Sequence, residues 1–223
     1  MRNAIVFFAA LPGGGTRHPL NAELKPHRAE KLVGLFHEDC AERLHGSADI
    51  IVCYDPRAGV EQYRARLGED CRYIAQTGAS DSEKLAHAVR FAFEQAYDRV
   101  VAVGIACPDL PTETYGSAFA ALGASAACCG RVKTGNYYLL GLSKTAYEPG
   151  AFDGISMTGS GAFRVCGKPF ERRFESCTEL AQWPGVETAQ ALRDLYRRNF
   201  DSAFTGSKTF AYMRENAGEV GVS

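Results

Sequence analysis

The chain opens on an uninterrupted apolar run, Ile5-Val6-Phe7-Phe8, of the kind found in a strand covered on both faces. Pro12 and the consecutive Gly13, Gly14 and Gly15 break it. After Pro26, the residues Ala29, Leu32, Val33, Phe36, Cys40 and Leu44 recur at helical spacing, and Gly46 ends the segment. Residues 49–54 predict a second strand, and Asp55-Pro56 starts a turn into a short helix carrying Val60, Tyr63 and Leu67. Residues 72–75 predict a third strand. Ser80 and Glu83 have the spacing of a capping box, opening a helix with Leu85, Ala88, Val89, Ala92, Phe93 and Ala96 on one face. Residues 100–105 are the most strand-like stretch, and a helix is predicted over 112–122. Two further strands, 125–129 and 137–142, leave no room for a helix between them. Residues 188–200 form a late amphipathic helix with Ala189, Leu192, Leu195 and Tyr196 inward.

This alternation predicts an α/β fold of three layers: a mostly parallel central sheet with helices on both faces. Ligands in such sheets sit at the carboxyl ends of the strands, which directs attention to the loops after Phe8, Ile105 and Cys129. There is no internal repeat, low-complexity tract or linker, so residues 1–223 are read as one domain.

Composition narrows the function classes. The 223 residues are 46% hydrophobic and 23% charged, an ordinary globular balance. Lys plus Arg number 25 and Asp plus Glu 26, a net charge of −1, so nothing general attracts nucleic acid or an anionic membrane. The eight cysteines contain no CxxC and no zinc spacing, and several sit in apolar strand-like runs, which predicts free thiols and a cytoplasmic setting. Arg2 and the apolar residues 4–11 have the outline of a signal peptide, but the strand–helix rhythm that follows favours a buried first strand. No other run approaches the length of a membrane span.

Several segments are candidates for chemistry. In Pro12-Gly13-Gly14-Gly15-Thr16-Arg17, glycines let backbone N–H groups approach a phosphate with which Arg17 can pair, though neither a GxGxxG nor a GK[ST] pattern is present. The alternative is a plain turn. Asp109, in Pro108-Asp109-Leu110-Pro111 beyond the strongest strand, is placed for a divalent cation or a sugar hydroxyl, or is simply a surface turn. Lys133 and Asn136 flank a glycine turn entering Tyr137-Tyr138, where strand alternation expects one tyrosine in the core and the other against a ligand. His37, Asp39 and Cys40 are close in sequence, but Cys40 falls on the apolar helix face, which argues against a metal site. Cys128-Cys129 ends a buried strand with no histidine placed to activate a thiol.

Together these segments resemble the bacterial DUF2064 family of small, glycosyltransferase-A-like nucleotide-diphospho-sugar transferases, over most of the chain. The family's AKxPxxGxxKTRL loop matches residues 9–17, and its QxxGDLGERM run matches 76–85. Its GxDxPxLP strand end matches 104–111, its DGGYYLIG turn 134–141, and its DVDT run 185–188. The family's loop lysine falls on Ala10, and its acids fall on Ser80, Ala106 and Thr134. The resemblance implies a nucleoside diphosphate sugar as ligand and an acceptor of unknown identity. It implies a cofactor site for Mg²⁺ or Mn²⁺ that Ala106 weakens. The resemblance then leaves Asp109 and Glu187 as the candidate catalytic bases. Arg17 and Lys133, with Arg131, are the candidate cations for the diphosphate. Two alternatives stand beside transfer: a catalytically silent relative that binds a nucleotide or small ligand, and an unrelated doubly wound enzyme such as a methyltransferase.

Overall fold

The computed structural model describes residues 1–9 and 18–222. Strand β1 (Asn3–Ala9) leads through helix α1 (Pro26–Leu44) to β2 (Asp49–Tyr54), then through α2 (Val60–Leu67) to β3 (Arg72–Ala75) and through α3 (Asp81–Glu94) to β4 (Arg99–Val103). Helix α4 (Glu113–Ala121) precedes the hairpin β5 (Ala127–Arg131) and β6 (Tyr137–Ser143). Three short strands follow, β7 (Ile155–Met157), β8 (Phe163–Val165) and β9 (Cys177–Glu179), then α5 (Ala189–Arg198), α6 (Lys208–Glu215) and α7 (Ala217–Val220).

The sheet runs β3-β2-β1-β4-β6-β5-β9, with β8 also pairing to β6 and β7 to β8. Strands β1 to β4 pair parallel in register Val6↔Ile51 and Ile5↔Val101. Strand β6 is antiparallel to both β4 and β5, so β5 runs in the same direction as β4. The carboxyl ends of β1, β4 and β5 therefore share one edge of the sheet, as the alternation predicted. The strand order proceeds from β1 to β2 and β3 on one side, and β4 falls on the other. That reversal places a crevice between the carboxyl ends of β1 and β4.

Residues alternating along β1 supply two cores. Ile5, Phe7 and Ala9 pack with Leu32 and Phe36 of α1, Phe119 of α4, Leu192 of α5 and Phe210 of α6. Ala4, Val6 and Phe8 pack with Leu85, Val89 and Phe93 of α3 and with Phe163 and Phe170. Both faces are thus covered, giving the three-layer α/β fold expected. Helix starts follow local chemistry: Ser80 Oγ accepts from Glu83 N–H at α3 (3.2 Å), and Thr188 Oγ1 accepts from Ala191 N–H at α5 (3.1 Å). Among the described residues no helix is long and apolar enough to cross a membrane.

One close approach builds the sheet edge. A Cβ on Gly104, just past β4, would lie 2.0 Å from the Gly161 carbonyl oxygen in the β7–β8 hairpin. Gly161 itself has φ +77°, and a Cβ there would meet Ile105. The two glycines let the hairpin close against the end of β4. Gly104→Ala is expected to lower unfolding stability by roughly 1–3 kcal/mol through overpacking. Denaturant unfolding measures this, and an unchanged midpoint would show that the hairpin shifts freely.

Candidate functional site

A cleft of about 400 Å³ opens at the carboxyl ends of β1 to β4. Phe8 stands at the end of β1, Asp55 and Arg57 follow β2, Gln76 and Gly78 follow β3, and Ile105 follows β4. Asp81 and Lys84 come from the first turn of α3, and Thr158, Gly159 and Gly161 from the β7–β8 turn. His18, Val33 and His37 complete the wall on the α1 side.

The polar groups are held by defined contacts. Asp55 is buried, and Arg57 Nε donates to both its carboxylate oxygens at 3.0 Å. The Arg57 guanidinium holds the Asp55 carboxyl below the usual carboxylate range. Asp81 Oδ2 accepts from Met157 N–H at 2.9 Å, tying α3 to the hairpin, and Lys84 Nζ lies 3.7 Å from Asp81 Oδ1. Gln76 Nε2 donates to the Cys53 carbonyl at 3.1 Å. His37 donates from Nδ1 to the Val33 carbonyl at 2.8 Å, and His18 accepts at Nδ1 from Leu20 N–H at 3.2 Å. Burial lowers the pKa of each histidine to about 4, so both imidazoles are neutral at pH 7. The cleft is therefore divided: charged groups lie on the β2–α3 side and neutral rings on the α1 side.

The sequence candidates are placed unevenly. Pro12, Gly13, Gly14, Gly15 and Arg17 lie outside the described residues, while Phe8 and His18 on either side of that segment both line the cleft. Glu187 is half-buried beside it, accepting at Oε1 from Ser160 Oγ (2.9 Å) between the lining glycines Gly159 and Gly161. Asp109 is not brought to the cleft. Only 4% exposed, it lies under α5, where Arg198, Asn199 and Trp183 donate to its carboxylate. Nor is it the surface turn of the alternative reading.

Lys133 is exposed and Asn136 half-buried in the β5–β6 turn, away from the lining residues. Tyr137 corrects the expectation of a ligand-facing tyrosine: it and Tyr138 are both buried. Tyr137 donates to Glu171 Oε2 at 2.8 Å, and Tyr138 donates to the Ala181 carbonyl at 2.8 Å. The two faces of β6 are both covered, so alternation separates the rings without exposing either. Arg131 is likewise engaged, 2.5 Å from Glu171 Oε1 and stacked over Tyr137.

The positions where the resemblance places acids do not make a cation site. Ala106 is buried in the core, Ser80 caps α3, and Thr134 is exposed in the hairpin turn. Asp55 and Asp81, the carboxylates lining the cleft, each have a cation partner. Among the described residues no three His, Cys, Asp or Glu side chains converge as a metal site. This donor set does not fit a carboxylate-held Mg²⁺ or Mn²⁺.

The DUF2064 family pattern, described as "Uncharacterized protein conserved in bacteria", matches residues 40–159, from α1 into the β7–β8 turn. The chain belongs to the DUF2064 family. A Desulfovibrio desulfuricans protein named "putative nucleotide-diphospho-sugar transferase" is 32% identical, with a TM-score of 0.85 over 99% of this chain and 97% of its own. Rv0371c of Mycobacterium tuberculosis is 18% identical, with a TM-score of 0.52 over 87% of this chain and 97% of its own. The bifunctional IspDF of Campylobacter jejuni is 11% identical, with a TM-score of 0.55 over 86% of this chain and 54% of its own. The latter two share the fold alone. No curated protein matches this DUF2064 chain.

Asp55, Arg57, Gln76, Lys84 and His18 line the cleft but are not among the site residues expected from the sequence. The signal was available: the rule that directed attention past Phe8 and Ile105 applies equally to the ends of β2 and β3.

Proposed function

We propose that this DUF2064 protein binds a nucleoside diphosphate sugar in the cleft and transfers the sugar to an acceptor. One observation carries the reading. The cleft lies at the switch point between β1 and β4 and presents Lys84 and Arg57 on one side. A diphosphate is recognised by cations and backbone N–H groups, and a leaving diphosphate needs its developing charge stabilised. Lys84 and Arg57, each paired with a lining carboxylate, Asp81 and Asp55, supply part of that charge, and Arg17 and the glycines at 13–15 are the candidates for the remaining charge and donors. Glu187, beside the lining turn, takes the proton of the acceptor hydroxyl. The 32% identity to the Desulfovibrio protein over nearly the whole chain supports the ligand class.

The substituted acid positions favour a second reading, in which the protein binds the nucleotide sugar without turning it over. Calorimetric titration with a panel of nucleoside diphosphate sugars tests binding, and product analysis with and without acceptor alcohols separates the two readings. Occupancy at a hundred times Kd should add about 2.7 kcal/mol to stability. Lys84→Ala is expected to weaken binding about tenfold, or about 1.4 kcal/mol. Its effect should shrink as salt rises. Absence of binding by every nucleotide sugar would overturn the proposal.

A further inference from the structure

The neutral wall of the cleft holds a donor with no acceptor. His18 is 3% exposed, and its Nδ1 is committed as acceptor to Leu20 N–H at the single helical turn Pro19–Ala22. That contact places the ring proton of the neutral imidazole on Nε2. Among the described residues Nε2 is buried with no hydrogen-bond partner. A buried unpaired donor is costly and uncommon in native proteins; the His18 ring lines the cleft with Nε2 itself covered, so a ligand in the cleft is its candidate partner once the covering atoms move aside. The ring packs edge to face with Phe36, centroids 6.0 Å apart. Its other neighbours along the wall, Val33 and the neutral His37, bring no charge.

We infer that His18 Nε2–H is a ligand-binding donor that recognises an uncharged acceptor, the carbonyl or ring nitrogen of a nucleobase edge, at the α1 end of the cleft. The inference rests on the nucleotide-sugar reading and refines it. The lining gives the orientation: the diphosphate lies towards the ion-paired side that carries Lys84 and Arg57 with Asp81 and Asp55, and the neutral heterocycle towards His18 and Val33. A base carbonyl satisfies a neutral N–H without bringing a charge into a wall that offers none. A phosphate oxygen there would lose its hydration against apolar surface.

The test separates the donor from the nucleotide reading. In protein labelled with ¹⁵N-histidine, the free state should show His18 protonated at Nε2 and bare at Nδ1; the opposite tautomer overturns the inference without any ligand. Uridine, cytidine, adenosine and guanosine are then titrated singly, and inorganic pyrophosphate separately. At least one nucleoside should shift the His18 Nε2 signal, and pyrophosphate should leave it unmoved. A shift by pyrophosphate alone, or by none of the probes, overturns the inference. Calorimetric binding of a nucleotide sugar with the His18 signal unmoved sinks the His18 assignment and leaves the nucleotide reading standing; no calorimetric binding removes both.

Variants provide the second readout. His18→Asn keeps an acceptor for Leu20 N–H but lacks the distal donor, and is expected to weaken nucleoside binding about tenfold while leaving pyrophosphate binding unchanged. His18→Gln, whose longer amide restores a distal N–H, should recover part of the loss. Equal loss for nucleoside and pyrophosphate would mean that His18 only supports the fold.

Discussion

Asp109→Ala is expected to lower unfolding stability by roughly 3–5 kcal/mol, the cost of removing one member of a buried ion pair. Arg198 donates to Asp109 through Nε at 2.7 Å and Nη2 at 2.9 Å, a two-pronged contact. Asn199 Nδ2 adds a donor at 2.8 Å and Trp183 Nε1 another at 3.0 Å. Alanine leaves the part-buried Arg198 guanidinium and two further donors without the carboxylate that accepts from them. The same contacts join the loop after β4 to α5 and to the segment before it, so their loss loosens a long-range junction. Guanidinium unfolding of the variant should show a lower midpoint, with nucleotide-sugar affinity within about twofold of wild type where the variant remains folded. Unchanged stability with lost binding would return Asp109 to the role its sequence position first suggested.

The contrast shows which features could be read from residues. Strands β2 and β3 have the limits expected from the sequence, 49–54 and 72–75, and Asp55-Pro56 stops the first of them. The capping residue Ser80 likewise fixed the start of α3. Strands β7, β8 and β9 were not predicted: each has three residues, too few to show a period, and their pairing is decided by distant partners such as Tyr137↔Phe163. Helix α6 was also missed, although Ser207 caps it and Phe210 and Met213 share its buried face. At the site, a motif marks where a residue stands along the chain, not what surrounds it. Asp109 stands in the most family-like motif and is enclosed by α5, 80 to 90 residues later. His18 stands in no motif and lines the cleft because α1 closes over the end of β1.

The two histidines make the fold acid-labile well above the carboxylate range. Burial lowers each from an ordinary 6.5 to about 4, and the depression corresponds to on the order of 3 kcal/mol per ring. Above pH 6.5 both are neutral whether the chain is folded or not, so this stability is fully present. As pH falls below that value the unfolded chain takes up two protons that the folded one refuses, and stability drops until about pH 4. The combined slope approaches roughly 2.7 kcal/mol per pH unit. Asp39 acts in the opposite sense. Burial outweighs its contacts to Lys208 and Thr209 N–H and raises its pKa, so just above the ordinary carboxylate range the folded state holds a proton the unfolded state has released. Its contribution therefore grows as pH falls, and it offsets part of the histidine loss near the bottom of the window. Denaturant unfolding from pH 7.5 to 4 measures the net slope. His18→Asn should remove one proton from it, about 1.4 kcal/mol per unit, without moving the value at pH 7.5 by a comparable amount. A wild-type profile that stays flat between pH 6.5 and 5 would mean that both rings take up protons in the folded state, and that the α1 wall of the cleft is wet and charged rather than neutral.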